Sequence, residues 1–64
     1  MNNAIREYRE ASDLTQGDLA SQVGVTRQSI NAIERGRYDP SLELALKLAA
    51  KFDSAVEELF WLDS

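Results

Sequence analysis

The chain has 64 residues, seven Lys and Arg against eleven Asp and Glu for a formal net charge of −4, and no cysteine or histidine. So short a chain holds one domain, 1–64, near the lower size at which an apolar core suffices unaided, because it buries only about 60% of its unfolded surface. Lack of Cys and His excludes disulfides, Cys/His zinc sites and the common Ser–His or Cys–His nucleophile pairs, so no enzyme, cofactor or metal site is expected.

In chain order, Asn2 or Asn3 can cap a first helix whose inner stripe is Ile5, Tyr8 and Ala11, with Arg6, Arg9 and Glu10 outside. Tyr8 reads as core lining, its hydroxyl reaching the edge or finding a partner. Ser12-Asp13 ends this helix, and Leu14 tucks inward before the next one as a hydrophobic staple.

Thr15 and Asp18 form an [ST]-x-x-[DE] capping box that opens a second helix, in which Leu19, Ala20 and Val23 make one apolar stripe. Gly24 supplies the left-handed conformation that stops it. Thr26 then caps a third helix with Ile30 and Ile33 on one face, and Gly36 closes it. Two short helices joined by a tight glycine turn make a helix-turn-helix core over 15–36. With both isoleucines turned inward, Arg27, Gln28, Ser29, Asn31 and Ala32 remain on the outer side. Arg bonds guanine bidentately, Gln and Asn do the same to adenine, and Ala meets a thymine methyl.

Arg37 to Ser41 is a loop, since Pro40 forces Asp39 out of the helical region and Ser41 caps a fourth helix. There Leu42, Ala45, Leu46, Leu48, Ala49 and Phe52 are predicted to face the core, and Leu44 to lie outside the inner arc, on the surface. Asp53 ends the helix in place of the glycine that commonly does so. Ser54 and Glu57 form another capping box, opening a fifth helix with Val56, Leu59 and Phe60 inward. Trp61 and Leu62 carry the apolar run into the tail. The segment 54–64 is therefore a candidate dimerisation element, with Leu44, Phe60, Trp61 and Leu62 meeting their symmetry mates in a self-complementary interface. The alternative is that Trp61 folds back over its own core.

The run T-Q-x-x-L-A-x-x-x-G-V-T-x-x-x-I-x-x-I-E-x-G, followed by R-Y-D-P-S-L-x-L-A-L-K-L-A, resembles the Cro/repressor (Xre-type) helix-turn-helix family from Ile5 to about Phe60. The resemblance implies an all-α fold, a compact five-helix bundle whose third helix reads the major groove. It also implies transcriptional regulation, as a repressor, by a homodimer on an inverted-repeat operator. Arg27, Gln28 and Asn31 then read bases directly, with Thr26 and Ala32 at the margins. Gln16, Ser29, Arg35, Arg37 and Tyr38 hold the sugar-phosphate backbone, and Gln16 also props the recognition helix. Gly17, Tyr8 and Asp53 depart from the family's usual residues; Gly17 costs some helix stability or lets the backbone approach DNA closely.

A net negative charge sits awkwardly with DNA, because phosphate neutralisation supplies most non-specific affinity. Its distribution is uneven: within 26–38, Arg27, Arg35 and Arg37 outweigh Glu34, while both flanking segments are acidic. The acidic remainder also suits a surface solvated at high salt. Two further readings stay open, a protein-interaction module such as the antitoxin of a toxin–antitoxin pair, and a scaffold that has lost DNA affinity. With no leader pattern and no run of about 18 apolar residues, the cytoplasm is the expected compartment and a membrane is not an expected partner.

Overall fold

Hydroxyl and carboxylate side chains open most helices of this chain, and residues in the left-handed conformation close them. The computed structural model describes residues 1–63. Its elements run β1 (Asn2–Asn3), α1 (Ile5–Ala11), α2 (Gln16–Val23), α3 (Arg27–Glu34), α4 (Leu42–Lys51), α5 (Val56–Leu59) and β2 (Phe60–Trp61). The five helices form the domain, and β1 pairs antiparallel with β2, Asn2 opposite Trp61 and Asn3 opposite Phe60.

At α2 the capping box is reciprocal. The Thr15 hydroxyl accepts from the Asp18 N–H at 3.0 Å while the Asp18 carboxylate accepts from the Thr15 N–H at 3.0 Å. Thr26 accepts from the Ser29 N–H at 3.2 Å to open α3, and Ser41 from the Leu44 N–H at 3.1 Å to open α4. Gly24 closes α2 at φ 77°, and Gly36 follows α3 at φ 73°. After α3 the Gly36 N–H bonds the Ile33 carbonyl at 2.9 Å and the Arg37 N–H bonds the Ala32 carbonyl at 3.0 Å, a Schellman closure. Asp13, at φ 58°, and Asp53, at φ 51°, take the same position after α1 and α4 without glycine's freedom.

Two helix starts differ from the sequence reading. The backbone of Asn2 and Asn3 is drawn into the ladder, so α1 opens after Ala4, which offers no side-chain cap. Asn3 still serves the first turn, its Oδ1 accepting from the Ile5 N–H at 3.2 Å. At the other end, the Ser54 N–H is spent on the Ala49 carbonyl that closes α4, and its hydroxyl donates to the Phe52 carbonyl. The N-cap of α5 therefore falls one residue later, on Ala55, whose N–H is met by Glu58 at 2.8 Å rather than through a Ser54–Glu57 box.

Ile5, Leu19, Ile30, Ile33, Leu48 and Leu59 are fully enclosed. Tyr8 and Phe52 line this core as a tilted pair, their ring centroids 5.7 Å apart and their planes 52° from parallel, while Ala11 faces solvent. In α4 the buried arc is Leu44, Ala45, Leu48 and Ala49, which corrects the expectation that Leu44 is a surface residue. Leu42 and Leu46, expected inside, are 73% and 54% exposed. Phe60 is likewise committed to the chain's own core, so Trp61 and Leu62 alone of the predicted tail interface remain outside. Trp61 is 45% exposed and does not close over the core.

Candidate nucleic-acid interface

The back of α3 is anchored by Ile30 and Ile33, which packing against the core leaves essentially without solvent contact. That fixes what the other side shows: Arg27 and Gln28 are exposed, and Ser29, Asn31 and Ala32 are half-buried along the same helix. Thr26 and Ser29 have a more local role, since their hydroxyl oxygens lie 3.0 Å apart and the Thr26 oxygen also takes the Ser29 N–H. They secure the helix N-terminus, whose free N–H groups and dipole suit a phosphate. Neither the tail nor any other described segment covers the Arg27–Gln28 end, because β2 packs against β1 at the opposite end of α3.

The far end of α3 is held by a polar cluster. Arg9 donates Nε to Glu34 Oε2 at 2.7 Å and Nη2 to Glu34 Oε1 at 3.2 Å, and its Nη1 reaches the Leu14 carbonyl at 2.8 Å. Gln16 Nε2 donates to the same Glu34 Oε1 at 3.1 Å. This joins α1, the loop before α2, the start of α2 and α3 through one carboxylate, and its side chain is only 4% exposed. The Glu34 hydrogen bond raises the Arg9 guanidinium above its ordinary value, with burial opposing it. Arg9 thus does not stand free on the outside of α1, as its spacing suggested. The one hint in the sequence was an isolated carboxylate, Glu34, inside an otherwise basic stretch. Gln16 is half-buried, with its amide committed in part to α3.

Internal pairing of Glu34 alters the local charge balance. Arg27, Arg35 and Arg37 take part in none of the ion pairs among the described residues, so the segment 26–38 presents three uncompensated guanidinium groups. Arg37 and Tyr38 are exposed in the loop that leaves α3. A polar cleft of about 270 Å³ between α1 and α3 brings Arg6 into line with Gln16, Asn31 and Arg35. Arg6 is the cation that spacing placed on the outer, solvated face; its one ion pair among the described residues is an exposed one to Glu10 at 3.3 Å, which leaves it available. Among the described residues no group of three acidic side chains is placed to hold a metal ion, and no helix is long and apolar enough to cross a membrane.

Known proteins share this fold. The helix-turn-helix family model matches residues 5–59. An uncharacterised HTH-type transcriptional regulator of Methanocaldococcus jannaschii is 52% identical over 60 residues, covering 94% of this chain and 91% of its own. The HTH-type transcriptional regulator YgzD of Bacillus subtilis is 46% identical over 63 residues, covering 98% and 96%. Among solved structures, the restriction-modification controller protein C.AhdI from Aeromonas hydrophila superimposes with TM-score 0.78 at 41% identity, over 88% of this chain and 85% of that one. Matched from α1 to α5, this chain belongs to the Cro/C1-type helix-turn-helix family of DNA-binding transcriptional regulators, which are not enzymes.

Proposed function

We propose that this regulator binds a double-stranded operator sequence-specifically, as a homodimer with α3 in the major groove, and represses by occupying the site. The observation that carries the reading is the free polar side of α3, backed by two enclosed isoleucines. Arg27, Gln28 and Asn31 read base edges, with Thr26 and Ala32 beside them. Gln16, Ser29, Arg35, Arg37 and Tyr38 hold the sugar-phosphate backbone, joined by Arg6, and fix register without reading sequence.

One helix this short spans few base pairs, so specificity calls for two copies about 34 Å apart on an inverted repeat, or roughly ten base pairs between half-site centres. An apolar groove supports such pairing: Pro40, Leu42, Val56, Trp61 and Leu62 line a hollow of about 350 Å³ on the face away from the Arg27 end of α3. Leu46 continues the exposed side of α4 one turn beyond Leu42. Exposed leucine and tryptophan side chains in one place are what a two-fold interface would cover. We place the protein with its DNA, in the cytoplasm.

Selection of duplexes from a random library, followed by titration of the enriched and a scrambled duplex, tests the reading. An enriched inverted repeat bound well above its scrambled form is the expected result, and equal binding of the two overturns sequence-specific recognition. Sedimentation velocity tests the pairing: the wild type should dimerise and Trp61→Ala should shift toward monomer. A stable monomer at micromolar concentration, unaltered by that substitution, rejects the homodimer.

A further inference from the structure

The N-terminal strand touches both α3 and the apolar face, the first through the Asn3 side chain and the second through its ladder pairing with Phe60 and Trp61. Asn3 Nδ2 donates to the carbonyl of Ile33, the next-to-last residue of α3, at 2.8 Å. The Oδ1 of the same amide accepts from the Ile5 N–H at 3.2 Å. Its backbone meanwhile sits opposite Phe60 in the ladder, and the neighbouring Ala4 N–H bonds the Leu59 carbonyl at 2.9 Å. Asn2 sits opposite Trp61, the exposed aromatic of the groove, and its side-chain amide reaches Asp63. The turn after α3 also lies against this strand, since a Cβ on Gly36 would stand 3.5 Å from the Met1 carbonyl oxygen. The Ile33 carbonyl also accepts from the Gly36 N–H at 2.9 Å, so the Asn3 amide takes its second lone pair and ties the closing turn of the helix to the strand. Because the amide is partly buried and both its ends are used, its geometry is fixed rather than adaptable.

We propose that Asn3 is a positioning residue for DNA reading: its side chain locks the end of α3 to the β1–β2 ladder, so that the recognition helix and the Trp61 face keep one relative orientation. The proposal rests on the homodimeric operator reading above. In a two-fold pair the apolar face sets where the partner sits, and this clamp converts that placement into the separation between the two α3 helices. Asn3 acts through α3 and has no contact with bases itself. Loss of the clamp therefore leaves each half-site contact intact but loosens the spacing at which both can be made.

The test uses the duplex enriched by the wild type, together with versions whose half-sites are moved apart or together by one base pair. Wild-type protein should prefer the enriched spacing, whereas Asn3→Ala should lose about fivefold or more of that preference while its affinity for a single half-site stays close to wild type. Asn2→Ala, on the same strand but with an exposed side chain, should retain the preference. A folded Asn3→Ala that discriminates spacing as sharply as the wild type overturns the proposal. Should Asn3→Ala fail to fold, amide exchange of the wild type decides: binding of the enriched duplex should raise protection of the Ala4 amide more than that of the Ser54 amide, and equal protection overturns the clamp. If the wild type itself shows no spacing preference, the homodimeric reading fails instead, and the two failures are distinguishable.

Discussion

Arg9 and Glu34, twenty-five positions apart, meet through two side-chain hydrogen bonds and tie the first helix to the end of the third. Their side chains are only 12% and 4% exposed, so the pair behaves as an interior one and not as a surface ion pair. A buried pair of this kind is costly to break from one side only, because the survivor keeps its charge without a partner.

Arg9→Met should accordingly destabilise the fold by about 3 kcal/mol. The double variant Arg9→Met, Glu34→Met should recover much of that loss, since replacing both partners removes the uncompensated charge. Urea denaturation of the two singles and the double completes the cycle. A double variant no more stable than Arg9→Met would show that shape and the Gln16 contact outweigh charge here.

Asp53 and Asp13 hold the left-handed conformation at φ 51° and 58°. Glycine adopts that conformation without the Cβ clash, so Asp53→Gly and Asp13→Gly should each stabilise by about 0.5–1 kcal/mol, and Asp53→Ala should destabilise. In a domain of this size a gain of about 1 kcal/mol raises Tm by roughly 4–8 °C, within easy reach of thermal denaturation.

Acid sensitivity should trace in part to Asp18. The Thr15 backbone N–H first, and its side chain second, hold the Asp18 carboxyl below the usual carboxylate range. A depressed folded value means that the stabilisation is complete above the unfolded carboxylate pKa of about 4 and is lost as pH falls through the lower folded value. Asp18→Asn should therefore be less stable than the parent at neutral pH, with the difference shrinking on acidification below about pH 4. A gap that stays constant across that window would rule out the linkage.

Arg27 and Arg37 should separate in their effects on DNA. Arg27→Ala is expected to cost about 1–3 kcal/mol on the enriched duplex and to relax preference at one position. Arg37→Ala should weaken all duplexes alike and lower the slope of log affinity against log salt by about one. Anisotropy titrations over a salt series read both quantities, and identical behaviour of the two variants would refute the division between base reading and backbone holding.

Local chemistry made much of this molecule legible in one dimension. The Thr15–Asp18 box, the Thr26 and Ser41 caps and the Gly24 and Gly36 stops act within four residues of themselves, so they survive translation into the fold unchanged. The polar side of α3 was equally readable, because Ile30 and Ile33 leave only one way for that helix to face. In α4 the sequence is ambiguous. Leu42, Leu44, Leu46 and Leu48 support two overlapping apolar arcs, and only packing against α2 and α5 selects the one that buries Leu44 and exposes Leu42 and Leu46.

Three features belong to tertiary structure alone. Arg9 and Gln16 converge on Glu34, Asn3 reaches Ile33, and the β1–β2 ladder joins the chain's two ends; each pairs residues far apart along the chain. No periodicity or capping rule encodes such pairings, because they depend on the helices having already packed. Residue order therefore settled which helices form and which side of α3 faces outward, while the packed core decided what holds that helix in place and which apolar side chains were left exposed.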